Sequence, residues 1–388
     1  MNVLLALFGG GIGTLLRLPK LGAGGFPSSI RATDNTDAMP TTPEPIHDKE
    51  KPMTDQVRWG VLGATARIAG SAVIPAIVAS QNAHLTAVAS RNLDSAKEVA
   101  VASGSPDVRA YGDYDSLIAD SSVDVIYIPL PNNLHVGWAV EALNNGKHVL
   151  CEKPLAMNAD EAQEMVETAN ANGVLLSEAF MYRYQPLMAE VFGRVRAGDI
   201  GKVGLVKASF SFIQNSTEDY RRDPSMGGGA LLDVGCYCVH IARQAFGAEP
   251  LFATGTSVMD ADTNVDMTTT AQLEFGGGGM ALLDCSFAME FRASYEIVGD
   301  QGSFAVAKFF GADRADDVRY TLTKSGSPPE SRAMPPANMY VQEVEAMSRR
   351  VRGEDVFLLP ASDGLGNMRA LDAIARSAQG GGKVEVGA

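Results

Sequence analysis

The stretch from Val57 to Pro75, VRWGVLGATARIAGSAVIP, constrains the chain more than any other. The apolar run Trp59-Gly60-Val61-Leu62 reaches a turn of small residues, Gly63-Ala64-Thr65-Ala66, and a helical pattern then continues from Ile68 through Ile77. Strand, tight turn and helix start, in that order, are the setting that a dinucleotide fingerprint needs. The first turn of a helix carries unpaired N–H groups and a partial positive charge. A pyrophosphate can rest there if small residues let the backbone approach. The middle glycine of G-x-G-x-x-G/A is absent, with Thr65 or Ala66 in its place, so the turn also suits plain strand-to-helix packing.

At 388 residues the chain exceeds one ordinary core. From Val57 to about Ser177, short apolar runs alternate with amphipathic stretches. The pattern predicts strands over 58–62, 84–90, 123–128, 148–151 and 174–177. Helices are predicted over 68–80, 93–103, 114–120, 134–144 and 159–172. That alternation implies a parallel, doubly wound sheet of Rossmann type over residues 53–177, with ligands outside the carboxyl ends of its strands.

Three strand ends there carry chemistry. The second predicted strand ends in Ser90-Arg91-Asn92, where an NAD site usually has an acid for the ribose 2′-hydroxyl. A hydroxyl and a guanidinium suit a 2′-phosphate better, so NADP is expected over NAD; as plain polar loop residues they would serve equally to open a helix. The third such end is followed by PLPNNLH, Pro129 to His135, whose prolines and asparagines also fit a stiff turn and a helix cap. The fourth predicted strand leads into Cys151-Glu152-Lys153-Pro154, which aims a lysine at the ligand crevice.

Beyond Ser177 the period changes. Residues 178–360 read as an α+β domain with a largely antiparallel, open sheet from segments 202–214, 252–258, 268–275, 280–289, 293–299 and 303–307. Helices are predicted over 229–246 and 339–352, and a last one over 361–378 is expected to pack back on the first domain. The helix after Gly227-Gly228-Gly229 is apolar almost all round, hence buried. Asp233 and Tyr237 share one face of it and His240 follows three residues later. A buried Asp and Tyr need partners, either in the structure itself or in a polar ligand.

Residues 1–52 lack periodicity, and the first cation, Arg17, follows the apolar stretch instead of preceding it. They are expected to be a dispensable, disordered tail before Met53, with a cryptic export signal as the alternative. A formal net charge of −14 argues against nucleic acid and anionic membranes as partners. Cys151, Cys236, Cys238 and Cys285 lack metal-ligand spacing and read as buried thiols of a reducing, cytoplasmic compartment, so no metal is expected. An open sheet with an uncovered apolar face would favour a homodimer or homotetramer.

Taken together, WGVLGATARIA, Ser90-Arg91, PLPNNLH, CEKP, EAFMYRYQP and GGGALLDVGCYCVH resemble, in that order, the glucose-fructose oxidoreductase, inositol dehydrogenase and MocA-like (Gfo/Idh/MocA) family, from about Val57 to Ala378. The D-x-G-x-Y form resembles its branch with NADP-dependent D-xylose dehydrogenases and dimeric dihydrodiol dehydrogenases, whereas inositol dehydrogenases carry His at the place of Tyr237. The resemblance implies an NADP-dependent oxidoreductase moving hydride at a hydroxyl-bearing carbon of an aldose. Trans-dihydrodiol or inositol-type polyol oxidation, or a non-catalytic NADP-binding regulator, are the alternatives. It implies catalytic roles for Lys153, Tyr237 and Asp233, with Lys153 lowering the pKa of the Tyr237 phenol. Cofactor contacts would fall on Gly63, Thr65, Ala66, Arg67, Ile68, Ser90, Arg91, Pro129, Asn132, His135, Glu152, Lys153 and Arg183. Gln185 stands where the branch often has His, which touches the substrate pocket.

Overall fold

The computed structural model describes residues 56–216, 218–311 and 318–387. The expectations for residues 1–52 and for Met53 therefore lie outside the described residues. Six strands, β1 (Val57–Val61), β2 (Ala83–Ala89), β3 (Arg109–Tyr111), β4 (Val125–Ile128), β5 (His148–Cys151) and β6 (Leu176–Glu178), form one sheet in the order β3-β2-β1-β4-β5-β6. Every pair in it is parallel. The connecting helices are α1 (Ile74–Ala79), α2 (Leu93–Ala102), α3 (Tyr114–Ile118), α4 (His135–Asn144) and α5 (Ala159–Asn172). Asn92 and Asn158 cap α2 and α5 by accepting from backbone N–H groups of their first turns, as expected for Asn at that position.

Two local differences from the pattern have physical causes. The helix expected from Ile68 opens with a wide, π-type turn over Ala69–Val73 before α1 begins. Pro75 has no N–H to give to Ser71, so the ladder loosens just upstream of it. The strand β3 was not expected at all, because three partly exposed residues, Arg109-Ala110-Tyr111, show no apolar period.

The second sheet is larger. Helix α6 (Pro186–Arg196) leads to β7 (Val203–Ile213); a loop and α7 (Cys236–Phe246) follow, then β8 (Phe252–Met259), β9 (Asp266–Glu274), β10 (Met280–Ser286), β11 (Ala288–Gly299), β12 (Gly302–Val306), β13 (Arg319–Lys324) and β14 (Glu330–Ala333). With β15 (Val384–Glu385) the order is β14-β13-β12-β11-β7-β10-β9-β8-β15, antiparallel except where β10 runs parallel to β7. Helices α8 (Met339–Val351) and α9 (Ala361–Gly380) complete the chain. The final helix does more than return to the first sheet. Its Asp372 accepts from the Ala159 N–H at the start of α5 (2.7 Å), while Ser377 accepts from Gly255 N–H in β8 (2.9 Å), so it joins both halves.

The outer face of this sheet is mixed. Lys207, Ser209, Thr254, Thr256, Thr270, Gln272 and Asp284 lie around Leu282, with Ser209 donating to Asp284 and Lys207 3.2 Å from Glu296, while Ile213, Val258 and Met280 on the same sheet are also exposed.

The segment between β7 and α7 positions the site. Gly228 N–H donates to Asp223 O (2.9 Å) and Gly229 N–H to Arg221 O (3.0 Å), folding the loop on itself. Asn132, beyond β4, donates to Gly227 O at 2.9 Å and docks the loop on the first sheet. The helix then enters through a wide turn, Leu231–Gly235, whose first N–H is capped by Asp266 Oδ2 at 2.7 Å. Gly229 sits at φ +114°, and a Cβ there would run into Asp266 Oδ1. Gly229→Ala is expected to cost about 1–3 kcal/mol in urea unfolding, from backbone strain and a displaced cap; unchanged stability would show that the turn does not depend on glycine.

Candidate active site

The carboxyl end of β5 supplies Glu152 and Lys153. Glu152 Oε1 accepts from Tyr127 Oη (2.6 Å) and its Oε2 from Lys153 N–H (3.2 Å), which fixes the backbone ahead of the lysine side chain. Lys153 Nζ crosses to the second half of the molecule and donates to Asp233 Oδ1 (2.8 Å) and to Asp233 O (2.9 Å). The other carboxylate oxygen of Asp233 accepts from Arg221 Nε at 2.7 Å. Arg221 also lies 3.3 Å from Asp219. Charges thus alternate, cation and anion, along a line from β5 to the glycine loop that is deepest at Asp233 and half-buried at Arg221 and Asp219.

The protonation states follow from that line. Burial disfavours the Lys153 ammonium, but Asp233 outweighs it and holds the lysine above its ordinary value. Burial likewise would raise Asp233; Arg221 and Lys153 together outweigh it and hold the carboxyl well below the usual range. Glu152 is raised by burial, with Lys153 acting against it.

Tyr237 stands in an aromatic cage of Phe180 (centroids 5.1 Å), Phe210 (5.3 Å), Tyr182 (5.6 Å) and Phe310 (5.8 Å). It is 2% exposed. Lys153 Nζ is 5.4 Å from its ring centroid, and its hydroxyl donates to Met181 Sδ at 3.5 Å. Here the expectation of a lowered phenol is corrected: burial pushes Tyr237 well above its ordinary value. The lysine charge is engaged by Asp233, not by the phenol oxygen. His240 turns away from this group: its Nδ1 is 2.5 Å from Tyr182 Oη and its Nε2 is 2.8 Å from Asp363 Oδ2, with Phe180 stacked on the ring.

The residues expected to face a dinucleotide divide into two sets. Gly63 takes φ +65°, and a Cβ would strike Leu130, so only glycine fits this turn. Ala66 N–H closes the turn onto Gly63 O, while the N–H groups of Thr65, Arg67 and Ile68 have no backbone acceptor among the described residues. Ser90 is buried at the end of β2 and Arg91 is exposed beside it. The Arg91 charge reaches Tyr114, whose hydroxyl sits next to the Gly63 turn. Pro129 is buried after β4, and Asn132 is engaged by Gly227.

The second set does not join the crevice. His135 is fully buried, with Nδ1 3.0 Å from Pro154 O and Nε2 2.8 Å from Leu130 O, so neither nitrogen is open to a ligand. It ties the turn after Lys153 to the turn after β4. Arg183, expected on the nicotinamide side, lies instead under Phe357 and over Phe192, in a groove between α6 and α8.

Two family models match the chain: the oxidoreductase family with NAD-binding Rossmann fold over residues 57–180, and the GFO/IDH/MocA C-terminal domain over residues 188–305. The chain belongs to the Gfo/Idh/MocA oxidoreductase family. It is 37% identical to D-xylose 1-dehydrogenase (NADP(+)) 2 of Haloferax volcanii, across 84% of this chain and 99% of that one. It is 33% identical to trans-1,2-dihydrobenzene-1,2-diol dehydrogenase of Xenopus laevis, across 70% and 81%. Among solved structures it resembles a 3-ketoreductase of Actinomadura kijaniata in complex with NADP and TDP-benzene. The TM-score is 0.75 at 29% identity, over 83% of this chain and 97% of that one.

Within this Gfo/Idh/MocA oxidoreductase, Arg221, Asp219 and Asp266 were missed by reading the sequence. Arg221 lies in an irregular loop twelve residues ahead of Asp233, where no period could link the two. The only available signal was that a buried Asp facing Lys153 leaves one carboxylate oxygen needing a donor.

Asp233→Asn removes the sole anion between Lys153 and Arg221, so it is expected to destabilise the protein by about 3–5 kcal/mol at neutral pH. Because the folded carboxyl lies below its ordinary value, this contribution is present above the unfolded pKa and is lost as pH falls through the folded one. The difference between wild type and variant in urea should therefore persist at pH 5 and shrink only in strong acid. A difference already gone at pH 5 would contradict the assignment.

Proposed function

We propose that the chain is an NADP-dependent oxidoreductase that moves hydride at a hydroxyl-bearing carbon of a sugar, most simply C1 of an aldose. The observation that carries this is the convergence of Lys153, from the carboxyl end of β5, with Asp233 and Tyr237 from the helix facing it. The donor set fits the cofactor: free amides at Thr65, Arg67 and Ile68 suit a pyrophosphate, and Ser90 with Arg91 suit a 2′-phosphate in the absence of an acid.

The relatives support the same reading. The xylose dehydrogenase is NADP(+)-dependent by name and matches along almost its whole length. The 3-ketoreductase has also been solved with a lysine replaced and with a tyrosine replaced, and those positions lie as many residues apart as Lys153 and Tyr237. The dihydrodiol dehydrogenase supports a second substrate class, trans-dihydrodiols, on the same chemistry.

NADP, when bound, supplies or accepts the hydride. The chain's own residues handle the oxygen and its proton. An ammonium has three N–H donors, and Asp233 takes two of those of Lys153, leaving one for a substrate oxygen. The Tyr237 phenol is held protonated by burial, so in the reducing direction it gives its proton to the carbonyl oxygen; in the oxidising direction it accepts the hydroxyl proton only as the phenolate, after its own proton has passed to solvent. A thioether is a weak acceptor, so the hydroxyl can leave Met181 for a substrate oxygen at little cost.

Tyr237→Phe is expected to lower kcat with D-xylose or D-glucose by about 10²–10⁴ while NADP affinity stays nearly unchanged. A variant that keeps turnover but melts lower would make Tyr237 a packing residue. Arg91→Ala is expected to weaken NADP by about 1–3 kcal/mol and NAD far less. Equal losses for both cofactors in titration would remove Arg91 from the 2′-phosphate.

A further inference from the structure

A groove of about 500 Å³ runs between α6 and α8, and none of Lys153, Asp233 or Tyr237 lines it. Its floor is Arg183, beside Gln244, which stands about two helical turns beyond Tyr237 on α7. Arg183 is 6% exposed. Its guanidinium is sandwiched between the rings of Phe192 (4.7 Å to the centroid) and Phe357 (5.2 Å).

The polar edge of that guanidinium is poorly satisfied. Nη2 donates to Gln244 Oε1 at 3.3 Å and Nε is buried with no acceptor. Among the described residues Nη1 has no partner, and no carboxylate pairs with the group. Asp363, which feels the Arg183 charge, is engaged by Gln244, Arg243 and His240. A buried cation with no carboxylate in contact and only the shared charge of Asp363 nearby is poorly compensated, and the same enclosure strengthens its attraction for an anion entering from the groove.

The rest of the groove suits such an anion. Arg196 on α6 makes no ion pair among the described residues, and Arg349 on α8 lies 2.7 Å from Glu354. Glu345 is the one acid among the lining residues, so the lining is net positive. Phe357, 51% exposed, and Tyr184, 5.6 Å from it with the two rings tilted by 57°, give an aromatic wall on whose exposed Phe357 ring a planar group can lie. We infer that this groove binds a small organic anion, a carboxylate or phosphate on a planar apolar body, with its head group on Arg183. The site stands apart from the oxidoreductase reading and does not depend on it.

The test is calorimetric titration of the full chain, in anion-poor buffer, with benzoate, phenyl phosphate and inorganic phosphate. Wild-type protein should bind benzoate or phenyl phosphate more tightly than inorganic phosphate, and the better of the two names the head group. Arg183→Met should lose at least about tenfold in affinity, Phe357→Ala should bind more weakly than wild type, and Arg91→Ala, at the other site, should bind like wild type. Arg183→Met exchanges an unpaired buried cation for an apolar chain, so without the anion it should melt no lower than wild type. The inference is overturned if neither organic anion binds at millimolar concentration, if Arg183→Met binds equally well, or if that variant melts lower in anion-poor buffer.

Discussion

Asp233, buried between two partly buried cations, is the contact on which the rest of the site depends. Lys153 comes from the end of β5, Arg221 from the loop after β7, and Asp233 from the wide turn that opens into α7. Three segments far apart in the chain are held by one carboxylate. Without it two positive charges would face each other in a place that water barely reaches; with it, each group is kept ionised against its burial. The same pair leaves the lysine with one unengaged proton and the phenol of Tyr237 uncharged beside it, two donors that the proposed reduction of a carbonyl would use.

Everything around that carboxylate serves to aim it. Asp266 caps the first turn of the helix, Gly228 and Gly229 let the loop fold close enough for Arg221 to arrive, and Asn132 ties the loop to the first sheet through Gly227. His135 packs against the turn after Lys153 from the other side, its ring nitrogens 2.8 Å from Leu130 O and 3.0 Å from Pro154 O. Burial lowers its pKa against the pull of the two carbonyls, and the neutral ring has a single N–H, so it donates to one of them at a time. Behind Tyr237, the Tyr182, His240 and Asp363 line gives the aromatic cage a polar backing, in which Asp363 is kept ionised by His240 and the neighbouring arginines against its burial.

Much of this was legible in the sequence because it is periodic or local. The alternation from Val57 to Ser177 required a parallel sheet, and CEKP at a strand end together with LLDVGCY on a buried helix, by their resemblance to the family, brought Lys153, Asp233 and Tyr237 to one site, with Lys153 set against Tyr237. What could not be read is non-local. The strand β3 is too short and exposed to show a pattern, and β13 and β14 follow a stretch without apolar alternation. Arg221 and Asp266 meet their partners only through tertiary folding. Arg183 and His135 could be singled out by resemblance, yet their surroundings depend on how α6, α8 and the Pro154 turn pack, which no spacing encodes. The phenol of Tyr237 shows the same limit: lysine and tyrosine in one site suggested a lowered pKa, but the depth of burial and the competing carboxylate reverse the direction.

The most direct test of this account is the ionisation of Asp233 itself. With aspartate labelled at its carboxyl carbon and the resonance assigned by its absence in Asp233→Asn, an NMR titration of the folded protein follows that one group. Held between Lys153 and Arg221, it should remain a carboxylate, with no change in shift from neutral pH down through the ordinary aspartate range near ~4. Protonation at or above that value would mean that the two cations do not grip it, and the charge line on which the site is built would be wrong.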